Sequence, residues 1–497
     1  MTQPVSTDAP QDLPLRSSDE IQGNILAGFA KDYTTFLLYS FPADVAPVRA
    51  WLSSLLPRVA TTRQVTAFND QFREARRSRG GDDPPKLKAM WINVSLTSPG
   101  LAKLAPSRAA DLAPFASFTG GAAARAADLR DTGDSDPQHW VFGAPHQATV
   151  DAVVTVAADD RSDFELQLDR LRALAANHGL SVAFEQRGET LPRPRSGHEH
   201  FGFKDGISQP GVRGYTPVQR RNDRAEDLEH PGSEIIPPGL FVLGLDRGDD
   251  ASADGGGSAY PGATGGATLP DWLHNGSFQV LRRLRQDVPG WWAQVIARQG
   301  ELPGAAPPDP DHLAAKLMGR WRSGTPMAHA AERDNRSVQR RIEDNDFTYA
   351  DDEKGVKTPR FSHIRKVYPR DSAFQDDKRR ILRRGIPYGP HFDPAAGRGH
   401  GVEVDRGLLF NVYVASIEEQ FEFVQRSWAN EPSFQPGSQP PDGPDPVIGN
   451  DPAAVTLRLP DQDPAQLTFR RFVSTTGAVY AFTPSLTALR QLAAGAL

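Results

Sequence analysis

The 497 residues include 38% hydrophobic and 24% charged side chains and carry a formal net charge of −6, the balance of a soluble globular chain with no bias toward nucleic acid or anionic lipid. At roughly 100–200 residues per domain, the length predicts two or three compact units. Cysteine is absent, which excludes disulfides, thiolate-bound zinc, iron–sulfur clusters, thiolate-ligated haem and cysteine nucleophiles. Chemistry therefore falls to His, Asp, Glu, Arg and Tyr. No run approaches the ~18–20 apolar residues of a membrane-spanning helix. Residues 1–20 lack the basic and apolar regions of a secretory signal, so a disordered lead-in and a cytoplasmic location are expected.

From Ile21 the pattern becomes globular. Residues 34–41 (TTFLLYSF), 90–96 (MWINVSL), 149–158 (TVDAVVTVAA) and 180–186 read as strands, being rich in β-branched and aromatic residues. Helices are expected over 45–56, near 101–112 and over 163–178, the last with Phe164, Leu168, Leu171 and Ala175 on one face. The order is close to the βαββαβ unit called ferredoxin-like. A looser second set follows, with strands at 239–245, 277–281, 408–415 and within 471–482, and helices at 288–298 and 417–428. In the last helix Ile417, Phe421, Val424 and Trp428 should face inward. The expected organisation is an N-terminal half over 21–200 and a C-terminal half over 201–497, with Gly/Pro-rich surface insertions at 246–270 and 430–452.

Signatures of nucleotide hydrolysis (GxxxxGK[ST]), serine hydrolysis (GxSxG) and zinc proteolysis (HExxH) are missing. His198 and His200 form an H-x-H with no third ligand in view, which favours polar or packing roles. Three segments stand out. FGFKDGISQPGVRG starts at Phe201, FSHIRKVYPR at Phe361 and ILRRGIPYGP at Ile381. Alone, the first is a turn around Asp205-Gly206, and the others are basic stretches.

Together and in this order they resemble the dye-decolorizing peroxidases. GFKDG at Gly202 is similar to that family's GxxDG motif, SHIRK to the stretch with its proximal haem ligand, and RRGIPYG to the stretch with its distal arginine. The IQGNIL opening at Ile21, GSFQVLRRLRQ at Gly276, the run from Gly407 and DPVIG at Asp445 extend the likeness over most of the chain. It looks most like the larger bacterial and fungal members. The resemblance implies an α+β fold of two ferredoxin-like halves, a dimeric α+β barrel, with one haem b held mainly by the C-terminal half. It also implies a peroxidase that reduces hydrogen peroxide and oxidises dyes, phenols or similar aromatic donors, as a monomer or homodimer, without nucleic-acid or membrane partners. The alternative is a haem-binding or iron-handling protein with incidental peroxidase activity.

In that reading His363 is the iron ligand, and a carboxylate on its other ring nitrogen makes the iron electron-rich. Glu418 is the candidate: in Ser416-Ile417-Glu418-Glu419 a capping box occupies Glu419 and leaves Glu418 free. Asp205 is the acid–base that moves the peroxide proton, and Arg383 stabilises charge as the O–O bond breaks. On an alternating strand Arg383 and Arg384 point oppositely, with Arg384 expected to be salt-bridged or solvated. Arg365 and Arg370 flank His363 as candidate partners of the haem propionates. Leu408 and Phe410 are expected to wall the distal pocket, and Tyr388 and Trp428 are candidate electron relays.

Overall fold

In the computed structural model, which describes residues 12–221, 224–248, 268–302, 309–334, 345–370, 372–392, 404–437, 439–450 and 452–497, nine strands form one antiparallel sheet. They are β1 (Tyr33–Ser40), β2 (Met90–Leu96), β3 (Ala152–Ala158), β4 (Ser181–Glu189), β5 (Ser277–Gln286), β6 (Leu382–Arg383), β7 (Ile386–Tyr388), β8 (Gly407–Val414) and β9 (Val473–Thr483). The order is β6-β8-β5-β9-β2-β3-β1-β4, with β7 also paired to β8. Strands β1–β4 come from the first half of the chain and the rest from the second. They meet at β9 and β2, where Phe482 faces Leu96 and the Ser95 and Thr483 hydroxyls lie 2.6 Å apart.

The sheet curls until its ends touch. Gly188 on β4 lies where a Cβ would sit 2.4 Å from Ile386 Cγ2 on β7, so the closing seam admits no side chain there. Both sheet faces are buried, which is why β1 and β3 read as continuous apolar runs rather than alternating ones. Leu37 and Tyr39 join the core under helices α2 (Ala46–Leu55) and α4 (Arg161–Asn177), whereas Phe36 and Leu38 join a core with Leu281, Leu409 and Val479.

The first-half strands and these two helices match the expected positions to within a few residues. The pattern did not foretell α3 (Thr62–Ser78), because its face is largely polar. A capping box between Thr61 and Gln64 starts it. Residues 239–245, expected as a strand, instead follow a tight turn at Pro238–Leu240 that is buried without joining the sheet. The lead-in is structured in part: Pro14–Ser17 forms a 3₁₀ turn, and Leu15 N donates to Gly214 O. Residues 1–11 and most of the 246–270 insertion lie outside the described residues.

The helix expected at 417–428 forms as Ile417–Glu422 and Val424–Ala429 with wide π-type winding, and all four predicted residues are buried. The winding shifts its cap. Ser416 Oγ accepts from Glu419 N as expected, but Gln420, not Glu419, reaches back to Ser416 N at 2.9 Å. Among the described residues no helix is long and apolar enough to cross a membrane.

Candidate active site

The turn carrying Asp205 is held by backbone geometry that only glycine adopts freely. Gly202 has φ +97° and Gly206 φ +78°, and a Cβ on Gly202 would press on the Arg322 guanidinium at 2.8 Å. Gly206 N donates to Asp205 Oδ1 at 2.6 Å, and Arg383 Nη1 donates to the same oxygen at 2.9 Å. Both bonds fall on one oxygen, and Asp205 borders the cavity described below. Partial removal of water pushes the Asp205 carboxyl up, but the Arg383 guanidinium and the Gly206 N–H outweigh this and hold it below the usual carboxylate range.

Arg383 stands on β6, opposite Val412 of β8. Its Nη2 donates to Ser208 O, and the Gln209 side chain bonds both its N–H and its C=O. The guanidinium therefore meets Asp205 from a strand fixed at both faces. Arg384 points the other way, as the strand period requires. Its destination is neither solvent nor a carboxylate. The side chain donates to the carbonyls of Asn24, Ile25 and Leu26, closing the end of α1 (Gly23–Leu26), and burial lowers its pKa to about 10. The IQGNIL segment is thereby tied to the strand that carries Arg383.

His363 opens a short helix, α5 (His363–Val367). Its Nδ1 lies 2.8 Å from Asp445 Oδ2. Asp445 is fully buried, and its Oδ1 accepts from Val447 N and Ile448 N at 2.8 and 3.2 Å. A carboxylate can only accept, so Nδ1 carries a proton, and in the neutral ring Nε2 keeps its lone pair. This corrects the expectation for Glu418. That residue is exposed and borders a separate cavity of about 360 Å³ with Phe115 and Arg426. It also corrects the view of 430–452 as mere decoration, since this segment carries Asp445. Only DPVIG among the family-like segments pointed to it.

Asp205, Arg383 and His363 border one cavity of about 250 Å³. Its walls are mainly apolar and include Leu408 and Phe410, as expected, with Phe421, Val424 and Met318. Arg370 borders it too, clamped between the rings of Phe347 and Tyr368 with Nη1 on Asn345 O, while its buried Nε finds no hydrogen-bond partner. Arg320, Arg379 and Arg380, which the sequence did not single out, add positive charge. Arg365 does not border the cavity. Its guanidinium bonds Asp352 and Thr358 O and stacks on Tyr349, so its task is to brace the segment before His363. Tyr388 and Trp428 are both buried, the latter stacked on Phe434 at 5.2 Å. His200 is buried against Tyr388 O, and no group of three or more potential metal ligands occurs among the described residues. An apolar slot with a free imidazole nitrogen, a polar acid–guanidinium pair and several cations fits a flat anionic macrocycle such as haem.

Two family models match the chain: the DyP dimeric alpha+beta barrel domain over residues 20–192, and the C-terminal domain of Dyp-type peroxidases over residues 264–435. The chain belongs to the dye-decolorizing peroxidase family. Its relatives include the multifunctional dye peroxidase DyP2 of an Amycolatopsis strain, 31% identical over 95% of each chain. Peroxidase 2 of Mycetinis scorodonius is 29% identical over 95% of this chain and 86% of its own. Among solved structures, an ancestral D-type dye-decolorizing peroxidase covers 97% of this chain at 30% identity with a TM-score of 0.77. A dye-decolorizing peroxidase solved with 2,6-dimethoxyphenol covers the same share at 27% identity and the same TM-score. Deferrochelatases of Yersinia match only 31% of this chain. The protein is therefore a haem peroxidase of the dye-decolorizing type, and its α+β barrel is the expected fold.

Proposed function

We propose that the cavity holds one haem b per chain with His363 Nε2 as the iron ligand, Asp445 as the acceptor that fixes the imidazole, and Arg370, Arg379 and Arg380 as partners of the propionates. Bound haem supplies the redox centre at which peroxide is reduced and donor electrons are received. Asp205 Oδ2 takes the proton of incoming peroxide and returns it to the departing oxygen. It suits both steps because its pKa is depressed and its other oxygen is occupied by Gly206 and Arg383. Arg383 adds a fixed charge beside the same oxygen, where negative charge grows as the O–O bond breaks. Dyes, phenols and similar aromatic compounds are the proposed reductants, in keeping with the names of the relatives.

The observation that carries this reading is the meeting on one apolar cavity of a tautomer-locked imidazole and an acid–guanidinium pair. The test is to load the protein with haem, add one equivalent of peroxide and follow the Soret band. A band that shifts and then returns on adding a dye supports the reading. Tight haem with no response to peroxide would favour the haem-carrier alternative, and loading unchanged by His363→Ala would remove His363 from the site.

A further inference from the structure

One buried carboxylate at the cavity wall has no part in the chemistry above. Glu199 is 9% exposed and borders the same cavity as Asp205. Three donors converge on its two oxygens. Phe203 N donates to Oε1 at 2.9 Å, and Phe201 N and Gln286 Nε2 donate to Oε2 at 2.8 and 2.7 Å. Gln286 ends β5, an interior strand of the barrel sheet paired on both sides. The carboxylate therefore staples the 199–203 turn to a rigid strand, and the next residues of that turn are Lys204 and Asp205.

The backbone continues the brace. Glu199 N donates to Phe203 O, Gly202 N to Glu199 O, and Asp205 N to Gly197 O. From the other end, Gln209 clamps the loop to Arg383. An amide at 199 could not replace the acid, because its NH₂ would face at least one of these donors. A buried charge is also costly, and a neutral acceptor would suffice if only filling space mattered. Burial, together with the nearby charge of Asp205, pushes the Glu199 carboxyl up to about 7 against the three hydrogen bonds.

We propose that Glu199 is a positioning residue for Asp205: its carboxylate fixes the 199–203 turn against β5 and thereby sets how Asp205 meets Arg383 and the peroxide. The proposal rests on the peroxidase reading for its kinetic consequence but not for the staple itself. The staple is tested first without added haem, on the full chain at pH 8, by hydrogen exchange. Glu199→Gln should speed exchange at the Phe201 and Phe203 amides about tenfold or more, in line with the loss of charge-assisted bonds. Unchanged exchange overturns the staple, whether or not the protein takes haem.

The kinetic consequence is read on the haem-loaded protein at the same pH. Glu199→Gln should lower kcat/KM for peroxide about tenfold and leave kcat/KM for the reducing dye and the haem affinity within about twofold. A general loss of packing would instead lower all three. Should Glu199→Gln fail to fold, Gln286→Leu removes a single donor and should lower the peroxide value alone, by about threefold. An unchanged peroxide value in a folded variant refutes the positioning role. Failure of the native protein to take haem would instead refute the peroxidase site, a result the exchange experiment does not share.

Discussion

Asp445→Asn isolates what the buried carboxylate does for His363. The native Oδ1 accepts from Val447 N and Ile448 N, and Oδ2 takes the His363 Nδ1 proton at 2.8 Å. In the amide, oxygen must stay on the two backbone donors, since an NH₂ there would face two N–H groups. The NH₂ then faces Nδ1, which has to become an acceptor, and the ring proton moves to Nε2. That is the nitrogen assigned to iron. Binding must restore the disfavoured tautomer against a buried donor, and the loss of such a partner typically costs ten- to a hundredfold in affinity, about 1.4–2.7 kcal/mol. The side chain keeps its size and its two backbone bonds, so the fold should persist. Haem titration followed at the Soret band measures the loss, and nitrogen NMR of the haem-free protein reads the tautomer directly. Affinity within twofold of the native protein, with the proton still on Nδ1, would refute the assignment of Asp445.

Arg383→Leu removes the main group holding the Asp205 pKa down, so the acid limb of the peroxide reaction should move to higher pH; a limb that stays put would separate the two residues. Arg384→Leu leaves the Asn24, Ile25 and Leu26 carbonyls without their donor and should cost about 2–4 kcal/mol in denaturant unfolding, while a haem-loaded sample keeps its histidine-ligated spectrum. Glu418→Gln should leave haem affinity within about twofold, as the residue borders a different cavity. Glu199 titrates at about 7 in the folded chain against an ordinary 4.5, so it binds a proton more tightly when folded. Its contribution is present below about 4.5 and is lost as pH rises through about 7, a change of about 3 kcal/mol that Glu199→Gln should abolish in unfolding curves taken from pH 4 to pH 8.

Local rules carried much of this protein. Runs rich in β-branched and aromatic residues announced β1, β2 and β3. The period of two placed Arg383 and Arg384 on opposite sides, and the absence of cysteine removed the thiolate chemistries before any fold was known. Asp205-Gly206 was recognisable because a tight turn that aims a carboxylate leaves a glycine in the sequence.

Packing over long separations decided the rest. Asp445 reaches His363 across 82 positions, and nothing local distinguishes that aspartate from the acids around Glu418. The capping box correctly predicted a helix start at Ser416, but π winding moved the reciprocal contact to Gln420, and Glu418 is exposed and borders a different cavity from His363. Arg365 and Arg370 look alike in SHIRKVYPR, yet only Arg370 borders the cavity, because Asp352 and two backbone carbonyls take the other guanidinium. The destination of Arg384, three carbonyls at the end of α1, likewise appears only when residues about 360 positions apart are folded together. A sequence records the period and chemistry of each segment; which charged groups share one cavity depends on how the sheet closes, and the curl from β4 to β7 is a property of the whole barrel.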